Sequence, residues 1–182
     1  MKELIPNPLN IVIFLSISII LFSISHALTE QKKDQILLDH ISWITENSYL
    51  EYNGESLPEI RKITRSEMIK RFYNIDLKKT KYTAREKYIL ENSTIAALYQ
   101  PSKNIMYFQP EFSIKNWKTT HILVHELVHF LQMTNGVHAQ SECKPKLEVF
   151  AYKLQSKWQK IHDHPAPPPK KSTLTTLSKM CS

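Results

Sequence analysis

The sequence predicts a small α+β domain, and three observations carry that prediction. Apolar residues recur at helical spacing in several segments, two of them long and consecutive in the last third of the chain. Short β-prone runs bounded by turn residues lie ahead of those two segments. Only two glycines, Gly54 and Gly136, occur in 182 residues, so left-handed turn positions are scarce and a helix-rich fold is favoured. A chain of this length suits one domain with short extensions and can bury a real core.

Residues 9–24, LNIVIFLSISIILFSI, form an uncharged apolar run, followed by small residues at Ser25 and Ala27 and then by polar LTEQKKD. That order predicts a signal peptide over residues 1–27, cleaved after Ala27, and an exported protein, periplasmic or secreted. The run is shorter than the roughly 20 residues of a spanning helix. No membrane attachment is therefore expected after cleavage, and an uncleaved anchor is the alternative. The mature domain is then expected over residues 28–164, with a proline-rich tail of little regular structure over 165–182.

Within the domain, Ile36, Leu37, Ile41 and Ile44 follow a helical period. SLPEIRKI, residues 56–63, reads as a short strand. Thr64 and Glu67 in TRSE have capping-box spacing and open a helix through about Tyr73. TIAALYQ (94–100) and NIMYFQ (104–109) flank Pro101, Ser102 and Lys103 as a hairpin. From about Asn116 the period is helical again, and it stops at Asn135-Gly136, a C-terminal cap signal. After a loop at 137–145, a second long helix starts near Pro145. Its predicted buried stripe is Leu147, Phe150, Ala151, Leu154, Trp158 and Ile161.

Charge and cysteines narrow the function classes. The net charge of +7 comes from scattered lysines, without a recognition motif or aromatic-basic platform, so nucleic acid is not an expected partner. Cys143 and Cys181 are the only cysteines. In an exported protein such a pair is expected to form a disulfide, tying the tail to the loop before the last long helix. An unstrained bridge of this kind stabilises by roughly 3–5 kcal/mol.

The chemistry is concentrated in HILVHELVHFLQ, residues 121–132. His125 and His129 complete an HExxH pattern, and residues four apart lie one above the other on a helix, so both imidazoles reach one ion. Glu126 points in a neighbouring direction, where it can meet a metal-activated water as a general base. His121 cannot be the third ligand, because eight residues separate it from His129, about 12 Å of helix. An HExxHxxGxxH continuation is also absent, since Gln132 and Asn135 stand at those positions. Glu148, nineteen residues after His129 and beside the apolar stripe of the next helix, is the favoured third ligand. Glu142 and His138, in the connecting loop, are the other candidates.

HELVHFLQ followed by LEVFAYKLQ resembles the metal-binding core of the gluzincin metallopeptidases, in which a glutamate from an ExxAD-like or ExxAY-like helix completes HExxH. It is most similar to small, poorly characterised bacterial zincin-like domains. In these an apolar strand and a tryptophan precede the HELVHxLQ helix, and a cysteine precedes the ExxAY helix. Met106-Tyr107-Phe108, Trp117 and Cys143 occupy those places here, and the resemblance spans roughly residues 95–160. It implies a short sheet or hairpin packed on the HExxH helix and the glutamate helix. It further implies zinc held by His125, His129 and Glu148, with Glu126 as general base, and a 104–109 strand that edges the cleft and pairs with an extended peptide. Where family members carry an acidic residue after the alanine, this chain has Tyr152, a candidate to hydrogen-bond a ligand or an oxyanion. The expected activity is zinc-dependent hydrolysis of a peptide or protein substrate. The alternative is a non-catalytic, exported zinc-binding module that uses the same fold for protein interaction.

Overall fold

A computed structural model of the chain describes residues 8–75, 81–92 and 95–180. Its fold is mixed α+β: seven α-helices and one three-stranded sheet among the described residues. The chain divides into two units, Met1–Leu38 and Asp39–Ser182. Helix α1, Pro8–Glu46, supplies the first unit's described residues and continues into the second. The apolar run and the helical period after it, read separately in the sequence, are one helix. No helix of the described residues is long and apolar enough to cross a membrane.

All other elements belong to the second unit. The last turns of α1 bury Ile41 and Ile44 there. Strand β1 (Glu59–Lys62) leads to α2 (Arg65–Tyr73), and the expected capping box is formed. Glu67 N–H donates to Thr64 Oγ1 at 3.3 Å, while Thr64 N–H donates to the Glu67 carboxylate at 2.9 Å. Loss of such a cap costs about 1 kcal/mol. Helix α3 (Ala84–Asn92) was not expected from periodicity, because it buries no residue. It still carried a legible signal in TARE, where Thr83 and Glu86 repeat the same reciprocal bonds.

Strands β2 (Ala97–Gln100) and β3 (Ile105–Phe108) form the predicted hairpin around a 3-10 turn at Pro101–Lys103. The turn closes on Asn104, left-handed at φ 51°, whose side-chain amide donates to the Ser56 carbonyl at 2.9 Å. The strand order β1-β3-β2, with β1 parallel and β2 antiparallel to β3, corrects one expectation. The 104–109 strand is central, with both edges paired, so it cannot offer an edge to a peptide. The outer edges belong to β1 and β2, and β2 is the one that lines the cleft described below. All four β3 residues are buried, as a central strand covered on both faces requires. Ile105 and Tyr107 join Met68 of α2 in one cluster. Alternation turns Met106 to the opposite face. Its cross-strand partner Tyr99 meets Phe130 of the next helix edge-to-face, ring centroids 6.0 Å apart.

Helix α4 (Trp117–Thr134) begins at Asn116, whose side chain accepts from Lys118 N–H. It ends as the sequence signals: Asn135 N–H donates to Leu131 O, and Gly136 follows at φ 71°. The Asn135 side chain also exchanges two 2.8 Å hydrogen bonds with the Glu51 backbone, fixing the chain after α1 to the end of α4. The expected loop contains one helical turn, α5 (Val137–Gln140), before α6 (Lys144–Ile161). Cys143 is the N-cap residue of α6; Cys181, its expected disulfide partner, lies outside the described residues.

Packing of α4 on α6 is the most extensive helix contact of the unit. On α6 the stripe is Leu147, Ala151, Leu154 and Trp158, joined by Gln155 and Gln159. Two predicted members are corrected: Ile161 is exposed at the frayed end, and Phe150 is half-buried, its ring on Tyr49 at 5.0 Å. The tail is corrected too, since residues 171–179 form helix α7 (Lys171–Lys179) after the proline-rich linker.

Candidate metal centre

Helix geometry sets the centre. Four residues apart on α4, His125 and His129 direct their Nε2 atoms to within 3.1 Å of each other. Glu148, in the second turn of α6, reaches across the α4–α6 contact and straddles the pair. Its Oε2 lies 3.3 Å from His125 Nε2, and its Oε1 lies 3.3 Å from His129 Nε2. These three residues are the group among the described residues whose donor atoms gather closely enough for one ion. A tetrahedral zinc with bonds of about 2.0–2.1 Å holds neighbouring donors about 3.3 Å apart. The donor spacings therefore match the edges of such a site.

The far side of each imidazole is also fixed. Gln132 Nε2 donates to the Leu147 carbonyl of α6 at 3.2 Å, and a carbonyl can only accept. That leaves Gln132 Oε1 facing His129 Nδ1 at 2.9 Å, so Nδ1 must carry the proton and Nε2 is free to ligate. His125 Nδ1 meets Gln155 Oε1 at 3.1 Å, an amide oxygen that can only accept. Both glutamines are buried. In the sequence Gln132 stands out only where a glycine is missing, and Gln155 belongs to no motif. The available signal was positional: each lies on the buried stripe of its helix, where an amide must find partners.

Electrostatics follow from this crowding. Burial opposes the charge on Glu148, but its hydrogen bonds to His125 and His129, with their charges, hold its carboxyl well below the usual carboxylate range. Burial likewise opposes charge on His129, yet the Glu148 hydrogen bond and the charges of Glu148 and Glu126 raise it to about 9. A proton on His129 Nε2 thus stands in the metal-free protein where a cation would.

Glu126 lies in the same cleft, nearly fully buried, and its carboxylate takes a backbone hydrogen bond from Tyr99 of β2. Burial pushes its carboxyl up from the ordinary value, with the Glu148 charge adding to the shift. Tyr152, one turn beyond Glu148 on α6, sets its ring 4.5 Å from that of His125. Its hydroxyl pKa is raised, by burial first and then by Glu148 and Glu126. The cleft encloses about 630 Å³ and is bounded by the triad, β2, the end of α2 and residues of α7.

The other sequence candidates fall outside the centre. His138 lines the cleft but is not in the ligand group, and Glu142 is exposed on the loop. His121 also lines the cleft without ligating, as its spacing required, and burial with the nearby His164 lowers its pKa to about 4.

With respect to known proteins, residues 29–164 match the profile of a family described as a domain of unknown function, DUF6647, and the chain belongs to that family. No curated protein and no solved structure matches it.

Proposed function

We propose that this chain is an exported zinc-dependent peptide hydrolase of the gluzincin type. The observation that carries the reading is the donor set: two imidazole nitrogens, freed by glutamine-fixed tautomers, and a straddling carboxylate at tetrahedral spacing. A structural zinc site uses four protein ligands, whereas three leave one position for water or substrate. When bound, zinc supplies Lewis-acid chemistry, polarising a carbonyl and bringing a water near neutral pKa.

The chain's residues do the rest. Glu126, its proton affinity raised by burial, takes the proton of the attacking water and delivers it to the leaving amine. Tyr152 is placed beside His125 to donate its hydroxyl to the oxyanion. The free edge of β2, rather than β3, offers backbone groups to an extended peptide beside Glu126. Export also places Cys143 and Cys181 where an intramolecular disulfide persists.

Two measurements test the proposal. The purified chain should hold about one zinc and cleave members of a mixed peptide library. Glu126→Gln should keep the zinc and lose cleavage by roughly a hundredfold or more. Zinc without any cleavage by the unsubstituted chain would assign it instead as a binding module. A chain that takes up no zinc refutes both readings.

A further inference from the structure

Helix α7 lies beyond the segment that the family profile matches, which ends at residue 164, yet its Thr173 and Leu177 line the same cleft as the triad. It is tied toward both ends of α6. On its near side Ala166 is hydrogen-bonded at both backbone groups: its N–H donates to His164 Nδ1, and its carbonyl accepts from Gln159 Nε2, each at 3.1 Å. Gln159 stands near the C-terminal end of α6, and His164 is itself buried and bonded to the Trp117 carbonyl. At the other end of α6 the N-cap residue, Cys143, is disulfide-bonded, and Cys181, the only other cysteine, follows α7 by two residues. Between these ties α7 packs on α6. Leu174 and Leu177, three residues apart and so on one face, are its half-buried side chains.

The cleft that this helix walls has a one-sided chemistry. The chain carries 24 lysines and arginines, but no lysine, arginine or aspartate is among the described residues lining the cleft. Leu98 of β2, Ile122 and Met133 of α4 and Leu177 of α7 line it instead. A charged side chain brought against these residues gives up its water with no opposite charge to replace it, whereas an apolar one gains by burial.

We propose that α7, stapled to α6 by a Cys143–Cys181 bridge, is a fixed wall of the substrate cleft, and that its Leu177 makes the site select peptides with an uncharged apolar side chain near the scissile bond. The bridge brings Leu177, four residues before Cys181, to the end of α6 that carries Glu148, five residues after Cys143. The selectivity rests on the hydrolase reading; the fixed wall does not.

The test uses the full chain and separates the two. Mass mapping of a non-reduced digest should find Cys143 linked to Cys181, and two free thiols would overturn the fixed wall. Selectivity is read in zinc-loaded protein with alanine-based hexapeptides carrying one leucine or one glutamate at each position in turn. At the position of strongest preference, leucine should exceed glutamate in kcat/KM by about a hundredfold. Leu177→Ala should lower the preference for leucine over alanine there about five- to tenfold. Leu177→Lys, which supplies the missing cation, should bring glutamate about tenfold or more closer to leucine. Unchanged ratios in Leu177→Lys would overturn the assignment of Leu177, and so would a preference of the unsubstituted chain for glutamate. If no peptide is cleaved, the hydrolase reading fails, and the same ratios are taken from peptide dissociation constants by calorimetry. Ratios that shift as stated then support Leu177 as the contact, and unchanged ratios or no binding of any peptide overturn it.

Discussion

Helix α4 contributes to two histidine clusters, and only one has the donor geometry that could hold a cation. Toward its C-terminal half, His125 and His129 give Nδ1 to glutamines, and one carboxylate faces both Nε2 atoms. At its N-terminal end, His121 lies against His164 with ring centroids 4.7 Å apart, and His164 is packed against Trp117 and Trp158. Here the backbone uses both nitrogens of His164: Nε2 donates to the Trp117 carbonyl, and Nδ1 accepts from Ala166 N–H. No lone pair of His164 remains for a metal. Histidine count and proximity are similar in the two clusters. The partner of the second ring nitrogen, and the presence of a carboxylate, separate a ligand from a packing element.

The largest expected effect breaks this contrast directly. Structural zinc sites are worth roughly 10–16 kcal/mol over four ligands, so loss of one protein ligand should weaken zinc by roughly a hundred- to a thousandfold. His129→Ala should show that loss in competition with a calibrated chelator. His164→Ala should leave zinc affinity unchanged and instead lower stability by about 1–3 kcal/mol, from two lost hydrogen bonds in a buried place. Equal loss of zinc in both variants would erase the distinction between the clusters.

A smaller effect should appear at the glutamines. Gln132→Ala removes the acceptor that fixes the His129 tautomer and also the bond to Leu147 O that ties α4 to α6. Zinc affinity should fall about 10- to 100-fold with the three ligands intact. Restoration by a carboxylate in Gln132→Glu, which also accepts from Nδ1–H, would identify the acceptor rather than the packing as the cause.

Legibility in the sequence followed the same division. The helices that bury a stripe, α4 and α6, were readable because burial imposes a period, and so was HExxH, whose spacing is itself helix geometry. That Glu148 faces the two histidines was readable because it sits beside that stripe. Helix α7 was not readable and α3 only from the TARE capping spacing at its start, since neither buries a residue to mark a phase. Sheet order was also beyond reach: parallel pairing of β1 with β3 joins segments about 45 residues apart, and no local pattern encodes it. The glutamine partners were hidden because a buried amide and an exposed one look alike in sequence.

Proton release sharpens the contrast without mutation. In metal-free protein His129 stays protonated to about pH 9, while its unfolded value is near 6.5. Its charge therefore stabilises the fold fully below about pH 6.5, and that contribution fades as pH rises through about 9. Glu148 runs the other way, with stabilisation present above its unfolded value of 4.5 and lost as pH falls toward its depressed native one. Zinc needs neutral His129, so binding near pH 7.5 should release about one proton, declining through about half a proton near pH 9. Calorimetry in buffers of different ionisation enthalpy measures this number. Release that does not change across that range would remove His129 as the displaced acid.

The smallest effect lies at His121. Its Nδ1 is buried without a well-formed hydrogen bond, the ring drawing only on the Lys118 backbone, and burial has lowered its pKa to about 4. A buried polar atom left unsatisfied costs about 1–3 kcal/mol, whereas an apolar side chain of similar volume has no such cost. His121→Leu should accordingly leave melting unchanged or raise stability by up to about 1 kcal/mol, with zinc affinity untouched. The same replacement at His125 would remove a ligand. A destabilisation of about 2 kcal/mol at His121 would instead mean that its ring is held by a partner, and that the second cluster is tuned as tightly as the first.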